Sequence, residues 1–388
     1  MGYIMGYIKI GKGIKAIFDK NTGSVKLYSN NGILQQNWIE HLGVGTEQIK
    51  SIHVVKGTVF LPENAGGMFQ FYNNLTYLDM NKFDTSKVTD MGAMFFGCEK
   101  LKSLDLSNFK TSNVKRMSKM FTYCSSLKVL DLSSFDTSNV TDINRMFEYC
   151  SNLVDLDLSS FDTSKVTDME SLFEGCISLA NLDLGGFDTS NTTNIRFMFY
   201  KCESLTELDL SSFDTSKVTD MGGIFSTCHN LESLNLDGFN TSNVTNMSGM
   251  FRDCRSLIGL CLNSFNTSKA VCMSDMFWNC RSLCSINLSN FDTSNVTDMG
   301  GMFWDCGNLT NLDISSFDTS NVKDMSHMFR NCQSLTSLDL SNFDTSKVTD
   351  MKSMFNGCRK LKTVKIKPII TGDTSTDEMF SDCTAEII

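Results

Sequence analysis

Hydrophobic and polar positions along this chain recur in one pattern of 26 residues, shown by the stretch 135–160, FDTSNVTDINRMFEYCSNLVDLDLSS. Two parts of the pattern predict regular structure. The end of each repeat alternates apolar and polar residues with the period of a strand, as at Leu153, Leu156 and Leu158. Before it, apolar residues at i, i+3, i+4 and i+7 predict one face of a short helix, with Asp142 as its N-cap: Ile143, Met146, Phe147 and Cys150.

The repeat keeps its length without an insertion or a deletion, as its cysteines show. The cysteines that recur at intervals of 26 residues are Cys98, Cys124, Cys150, Cys176, Cys202, Cys228, Cys254, Cys280, Cys306, Cys332 and Cys358. A fixed period of this size with an LxxLxL pattern is typical of a solenoid, whose coils bury a core only by stacking. We therefore predict an α/β solenoid: a right-handed, leucine-rich-repeat-like coil with a parallel β-sheet on one face and short helices on the other.

The ends of the chain depart from the repeat and are predicted to cap the stack. Residues 1–66 form the predicted N-terminal cap, with a hairpin at 14–28, a helical pattern at 33–42 and two short strands in IKSIHVV and TVFLP. The solenoid itself is predicted at 67–364. Residues 365–388 form the predicted C-terminal cap, in which Pro368 breaks the pattern and a last helical turn, with Met379 and Cys383, has no strand after it.

Composition and charge exclude several classes of protein. The chain has 388 residues, two prolines and 41% hydrophobic residues, which predicts an ordered structure. Its net charge of −10 is spread along the repeats, so no basic stripe is expected for a nucleic acid. The N-terminal sequence lacks the apolar core of a signal peptide, and no run is long enough to span a membrane.

The fifteen cysteines divide into two groups. Twelve, the regular eleven and Cys383, occupy one position of the repeat and are predicted to form a buried column of reduced thiols. Cys261, Cys272 and Cys284 lie outside the column. Free thiols are expected there too, although a disulfide stays open, and without a CxxC or clustered histidines a zinc site is not indicated.

The repeat DTSxVTDMxxMFxxCxxLxxLDLSxF resembles that of the BspA-like leucine-rich-repeat surface proteins, also described as the DUF285 or Mycoplasma-type lipoprotein repeat. The resemblance extends over about residues 67–366. It implies a binding or adhesion protein at a microbial surface, without a catalytic residue to assign. The resemblance also implies a location at the cell surface or outside the cell, whereas the N-terminal sequence shows no signal peptide.

A column of exposed acidic residues lies between the strand leucines. Stacked carboxylates about 5 Å apart repel by about 1 kcal/mol for each neighbouring pair even in water. Nearby hydroxyl and amide groups, water or raised pKa values would relieve this repulsion, and bound Ca²⁺ is the alternative. The candidate residues are Asp105, Asp131, Asp157, Asp183 and Asp209.

The repeats differ most at positions predicted to be exposed, where selectivity for a partner would lie. The residue after the core phenylalanine is Arg252, Trp278, Trp304 and Arg330 in four successive repeats. Tryptophan and arginine dominate binding hot spots, so these residues, with the nearby Arg255 and Arg281, are the candidate partner site; drift or local packing is the alternative.

These observations predict a non-enzymatic binding module without a cofactor. The four histidines are scattered, and neither a phosphate-binding loop nor an activated nucleophile is found. The expected partner is a protein or glycan on a host or neighbouring cell. The alternative is a structural or receptor-binding protein of a bacteriophage virion, bound to other virion proteins, and a cytoplasmic location also stays open. Oligomeric state is not predicted.

Overall fold

The computed structural model of the chain describes residues 6–367 and 374–388; Pro368, which was predicted to break the repeat, lies outside the described residues. The chain divides into two compact units, unit 1 at Met1–Asn191 and unit 2 at Thr192–Ile388. Each unit is a stack of the predicted 26-residue coils. The cap boundaries at 66 and 364 stay a prediction.

Unit 1 begins with an antiparallel hairpin of strands β1 (Ile8–Asp19) and β2 (Ser24–Leu34). The predicted hairpin is confirmed, and its strands are longer than expected. The remaining strands of this sheet, all parallel to their neighbours, are β3 (Ser51–Lys56), β4 (Val59–Phe60), β5 (Tyr77–Leu78) and β6 (Phe83–Asp84). They lie in the order β5-β3-β2-β4-β6, with β1 paired to β2.

The helix predicted at 33–42 is wrong. Its first two residues end β2, and only Trp38–Leu42 forms a 3₁₀-helix; a second one covers Thr46–Gln48. Asn37 and Gly43 hold left-handed backbone conformations, with φ of 57° and 65°, on either side of the first 3₁₀-helix. These conformations stop a longer helix, and the apolar spacing that looked helical comes from a strand end followed by this single turn.

Unit 2 contains two small parallel sheets. Strand β7 (Glu207–Asp209) pairs with β8 (Ser233–Asn235), and β10 (Thr363–Ile366) lies between β9 (Ser337–Leu340) and β11 (Glu386–Ile387). The prediction that no strand follows Cys383 is wrong, because β11 pairs with β10. In the described part of the chain, no helix is long and apolar enough to cross a membrane.

The strands stack in parallel as predicted, but as separate short sheets. Regular pairing instead recurs at the polar residue before the core methionine, which forms single parallel bridges from coil to coil. In unit 1 these bridges join Asn64, Asp90, Arg116, Asp142 and Asp168. In unit 2 they run in the same way from Asn194 to Ser375.

The short helices predicted on the other face are wrong: the described residues there form consecutive β-turns. We call these eight-residue stretches, such as 117–124, turn segments, and the side that they form the turn face. In 117–124, the N–H groups of Lys119, Phe121 and Tyr123 donate to carbonyls of the next coil at 2.8–2.9 Å. The intervening N–H groups, such as that of Cys124, close turns within the segment. An α-helix would need every N–H group for its own i−4 carbonyl, so the two arrangements exclude each other.

Two positions of each turn segment have a left-handed backbone, as at Lys119 and Tyr123, both with φ of 59°. Glycine adopts this conformation without strain and occupies it in several coils, for example at Gly223 with φ of 62°. A β-carbon at Gly223 would come within 2.4 Å of the Phe197 ring. Left-handed residues twice in eight positions are incompatible with an α-helix.

Stacked apolar side chains fill the interior of each unit. The core phenylalanines lie face to face from coil to coil, for example Phe121 and Phe147 with ring centroids 5.9 Å apart. The eleven regular cysteines are buried and free, as predicted, whereas Cys383 is only partly buried. Column thiols donate to a phenylalanine carbonyl of the preceding coil, as Cys150 does to Phe121 at 3.2 Å. Burial raises the pKa of Cys150 to about 12.

A column of buried threonines joins successive coils by their backbones. The Thr137 hydroxyl donates to the carbonyl of Asp162 at 3.0 Å and accepts from the N–H group of the same residue at 2.8 Å. Thr111 bonds Asp136 in the same way. These hydroxyls therefore satisfy backbone donors and acceptors of the next coil.

Candidate functional site

The predicted partner-binding residues lie on the turn face of unit 2. Arg252, Trp278, Trp304 and Arg330 each follow a core phenylalanine in successive coils. Their side chains are partly buried, not fully exposed as expected from a helix. A turn segment points the residue after phenylalanine along the coil axis, because the backbone turns here instead of continuing as a helix. Side chains of successive coils therefore lie on one another.

The four side chains form a single stack. The indole rings of Trp278 and Trp304 have centroids 4.8 Å apart and planes 23° apart. The guanidinium of Arg252 lies 3.8 Å from the centroid of Trp278, on one end of the stack. At the other end, the His327 ring stacks on Trp304 at 5.0 Å, and the Arg330 guanidinium lies 5.3 Å from the same ring. We call these five residues the Trp–Arg stack.

Three polar atoms of the Trp–Arg stack are buried and have no hydrogen-bond acceptor among the described protein residues. They are Nε1 of Trp278, Nε1 of Trp304 and Nε of Arg330. A buried donor without an acceptor costs about 1–3 kcal/mol. These three donors therefore lower the free energy of unfolding, and they lie in successive coils of one surface.

Arg255 and Arg281 each directly follow a turn segment, at 247–254 and at 273–280 respectively. Arg255 binds Asp253 through Nε at 2.8 Å and Nη2 at 3.0 Å. Asp253 also lies 2.8 Å from His229 Nε2 and accepts a bond from Asn279. Burial raises the pKa of Asp253, but these hydrogen bonds outweigh burial and leave the pKa below its ordinary value. Arg281 donates through Nε to the side-chain oxygen of Asn279 at 2.6 Å.

The candidate calcium column is exposed, and each carboxylate is bound by its own coil. Asp131 Oδ1 accepts from the Ser133 hydroxyl at 2.7 Å and from the Ser133 N–H group at 3.0 Å. These bonds lower the pKa of Asp131. The backbone bond to the residue two positions later recurs at Asp105, Asp157, Asp183 and Asp209. These hydroxyl and N–H donors therefore offset the repulsion between the stacked carboxylates.

Among residues 6–367 and 374–388, no group of three or more His, Cys, Asp or Glu side chains is arranged to hold a metal ion. Calcium binding by the aspartate column stays a prediction.

Cys261, Cys272 and Cys284 are free thiols in the structure. Cys261 and Cys284 are exposed, and Cys272 is partly buried with its Sγ 3.1 Å from Ser274 Oγ. The expectation of free thiols is confirmed.

Sequence reasoning missed a second aromatic group, on the turn face of unit 1. Phe71 and Phe96 have ring centroids 5.1 Å apart, Phe96 and Tyr123 5.9 Å, and Tyr123 and Tyr149 4.9 Å in parallel planes. Phe71 is 53% exposed and Tyr123 42%. We call these four residues the aromatic ladder. It was overlooked because Phe96 occupies a different position of the repeat from the other three residues; a search of both positions together would have found it.

Comparison with solved structures identifies the fold. A leucine-rich repeat protein from Bacteroides ovatus matches with a TM-score of 0.52 at 19% identity, with 100% of this chain and 99% of that chain covered. A leucine rich cell surface protein from Faecalibacterium prausnitzii has a TM-score of 0.40 at 16% identity, with coverage of 100% and 94%. A leucine-rich repeat protein from Eubacterium ventriosum has a TM-score of 0.42 at 14% identity, covering 85% and 95%.

No curated protein sequence matches the chain significantly. The sequence profile described as "Mycoplasma protein of unknown function, DUF285" matches residues 63–181, 125–233, 177–287 and 282–386. These segments overlap or adjoin and cover most of the chain, and they confirm the resemblance that the repeat itself indicated. The chain therefore belongs to the DUF285 family and has a leucine-rich-repeat-like fold.

Proposed function

We propose that this protein is a non-enzymatic binding module of a microbial surface protein, and that the Trp–Arg stack of unit 2 is its principal contact with a protein partner. Leucine-rich-repeat-like solenoids commonly mediate protein–protein interaction, since their coils display side chains at regular intervals on a rigid surface. The surface location rests on the family and on the cell surface protein among the structural neighbours.

One observation carries the proposal: two tryptophans and two arginines form one stack at the surface, at a position that differs from coil to coil. Equivalent positions of unit 1 hold Thr122 and Glu148, so the fold does not require an aromatic residue there. The repeat frame is otherwise nearly constant. Tryptophan and arginine are the residues on which binding energy concentrates.

The geometry also favours a preorganised contact. Each indole is held between two stacked groups, so Trp278 and Trp304 lose little conformational freedom when a partner binds. The unsatisfied donors of the stack are a cost that packing alone does not explain.

The experiment compares capture of surface proteins from host or neighbouring cells by the intact chain and by the Trp278→Ser/Trp304→Ser variant. We expect the variant to fold, as judged by circular dichroism, and to bind the captured protein at least about tenfold more weakly, since hot-spot truncations cost about 2 kcal/mol or more.

The matched control is Phe71→Ser/Tyr123→Ser, which removes two exposed aromatic residues from the aromatic ladder of unit 1. It should bind as the intact chain does. A tryptophan variant that binds the captured protein with unchanged affinity would refute the assignment, and loss of binding only in the control would move the site to unit 1.

A further inference from the structure

We infer that the Trp–Arg stack and the arginines beside it bind an acidic protein segment through its carboxylates. This inference rests on the proposed function, because it names the chemistry of the partner at the same site. The surface that we consider consists of the turn segments around the stack, with Arg281 and Arg359 on the column next to it.

The first argument is that several guanidinium groups of this surface have no carboxylate partner. Arg281, Arg330 and Arg359 have no carboxylate oxygen within 4 Å in the described part of the chain. Arg252 has only Asp275, at 3.9 Å. Burial raises the pKa of Asp275.

Two arginines of unit 1 are paired more closely. Arg116 lies 3.3 Å from Asp90, and Arg145 lies 2.9 Å from Glu170. The chain as a whole carries a net charge of −10, so carboxylates are abundant. Asp275 and Asp305 lie in the same turn segments, so this surface is not basic throughout; the guanidinium groups without a carboxylate partner are what fits an acidic segment.

The second argument concerns the direction in which the arginines can bind. The guanidiniums of Arg252 and Arg330 lie over the rings of Trp278 and Trp304, so one face of each planar group is covered by an indole. A guanidinium held in this way binds an acceptor through its N–H groups, which match the two oxygens of a carboxylate. On Arg330, Nε is buried and Nη1 lies 3.4 Å from His327 Nδ1, so a carboxylate would reach this side chain through Nη2.

The third argument favours a protein segment over a sugar or a nucleic acid. Sugars and bases bind tryptophan by lying on a free ring face. Trp278 has Arg252 on one face and Trp304 on the other, and Trp304 lies between Trp278 and His327. No indole face is therefore open to a sugar or a base.

The spacing of the coils suits an extended acidic chain. Successive coils pair in parallel, so equivalent residues are about 4.8 Å apart. Arg252 and Arg330 are three coils apart, or about 14 Å, which is close to the separation of residues i and i+4 in an extended segment. Acidic side chains on one edge of such a segment would meet both ends of the stack.

The test uses the full chain and a synthetic peptide of ten glutamates, with a hyaluronate fragment of equal charge as the second probe; binding is measured by calorimetry at several salt concentrations. We expect the peptide to bind, more tightly than hyaluronate, and more weakly as salt rises. Arg281→Gln/Arg330→Gln should weaken peptide binding by about tenfold or more, because each substitution removes charge-assisted hydrogen bonds to a carboxylate.

The control is Arg116→Gln/Lys119→Gln, which removes two positive charges from one coil of unit 1 and should leave peptide affinity within about twofold. Absence of peptide binding, tighter binding of hyaluronate, or equal losses in both variants would each overturn the inference.

The proposed function fails separately, by unchanged capture of the surface protein after Trp278→Ser/Trp304→Ser. If capture depends on the tryptophans but not on Arg281 and Arg330, the proposed function holds. The inference of an acidic partner is then rejected.

Discussion

The threonine column gives the sharpest test of how the coils are joined, and Thr137→Val is the variant that we develop. Thr137 is 2% exposed, and its hydroxyl both donates to and accepts from the peptide of Asp162 in the next coil. Valine has nearly the same shape but no hydroxyl. The substitution therefore removes two hydrogen bonds without opening a cavity, and it leaves one N–H and one carbonyl group without their partner.

The expected cost follows from those two groups. A fully buried polar group left without a partner costs about 1–3 kcal/mol. The Asp162 side chain is exposed, and the two bonds are only partly buried, so we take the low end for each group. The free energy of opening this junction should fall by about 2 kcal/mol.

Native-state hydrogen exchange is the suitable assay, because a stack of coils opens locally and need not unfold in one step. The amide of Asp162 should lose about thirtyfold in protection, which corresponds to 2 kcal/mol. Thr137→Ser keeps the hydroxyl and should retain most of that protection.

The control is Thr141→Val, at an exposed hydroxyl that donates to Lys115 O at 3.3 Å. Water can replace that bond, so the control should change stability by less than about 0.5 kcal/mol. Equal exchange of the Asp162 amide in Thr137→Val and in the unmodified protein would show that the threonine column does not hold the coils together.

Four further predictions concern the thiols, the backbone and calcium. Ellman's reagent should modify Cys261 and Cys284 rapidly in the folded protein and the eleven column thiols only after unfolding; rapid modification of more than four thiols would contradict the buried column. Burial raises the pKa of column thiols such as Cys150 and Cys280 to about 12, whereas unfolded thiols ionise from about pH 9, so denaturation midpoints should hold steady below pH 9 and fall between pH 9 and 12; a flat profile would refute this. Lys119→Gly should stabilise by about 0.5–1 kcal/mol in thermal unfolding, since Lys119 is left-handed, while Gly223→Ala should destabilise; reversed signs would reject the backbone assignment. If the aspartate column binds Ca²⁺, melting in chelator should occur at a lower temperature than in calcium, and identical curves would exclude it.

The coiled architecture could be predicted from the sequence because it depends on repetition. A buried residue of every coil must face its equivalent in the next, so identical spacing from Cys98 to Cys358 fixes a stack irrespective of local conformation. The hairpin at the start could be predicted for the same kind of reason, since its alternating residues and the turn ending at Gly23 are local signals.

The turn segments could not be predicted because their spacing fits two structures. Apolar residues at i, i+3, i+4 and i+7, as from Ile143 to Cys150, describe a helix face, but successive β-turns bury the same positions. Whether the segment forms a helix or successive β-turns depends on the acceptors of every second N–H group. Those acceptors belong to the next coil. That information is non-local, and only a glycine at a left-handed position, such as Gly223, hints at it in the sequence.

The candidate site was predicted in composition but not in geometry. Arginine and tryptophan after the core phenylalanine indicated a hot spot, yet the helical expectation placed these side chains in solvent. The turn segment instead stacks Trp278 on Trp304 and adds His327, from a different position of its repeat, to one end. Arg255 was predicted as a contact residue, and its bidentate bond to Asp253 makes it less available than Arg281.

The most direct test of the central claim, that a partner binds the turn face of unit 2, is a hydrogen-exchange footprint of the full chain with and without the captured surface protein. We predict that protection on binding concentrates in the turn segments at 247–254, 273–280, 299–306 and 325–332, with little change in β7 to β10. Protection confined to those strands, or to the aromatic ladder of unit 1, would contradict the account.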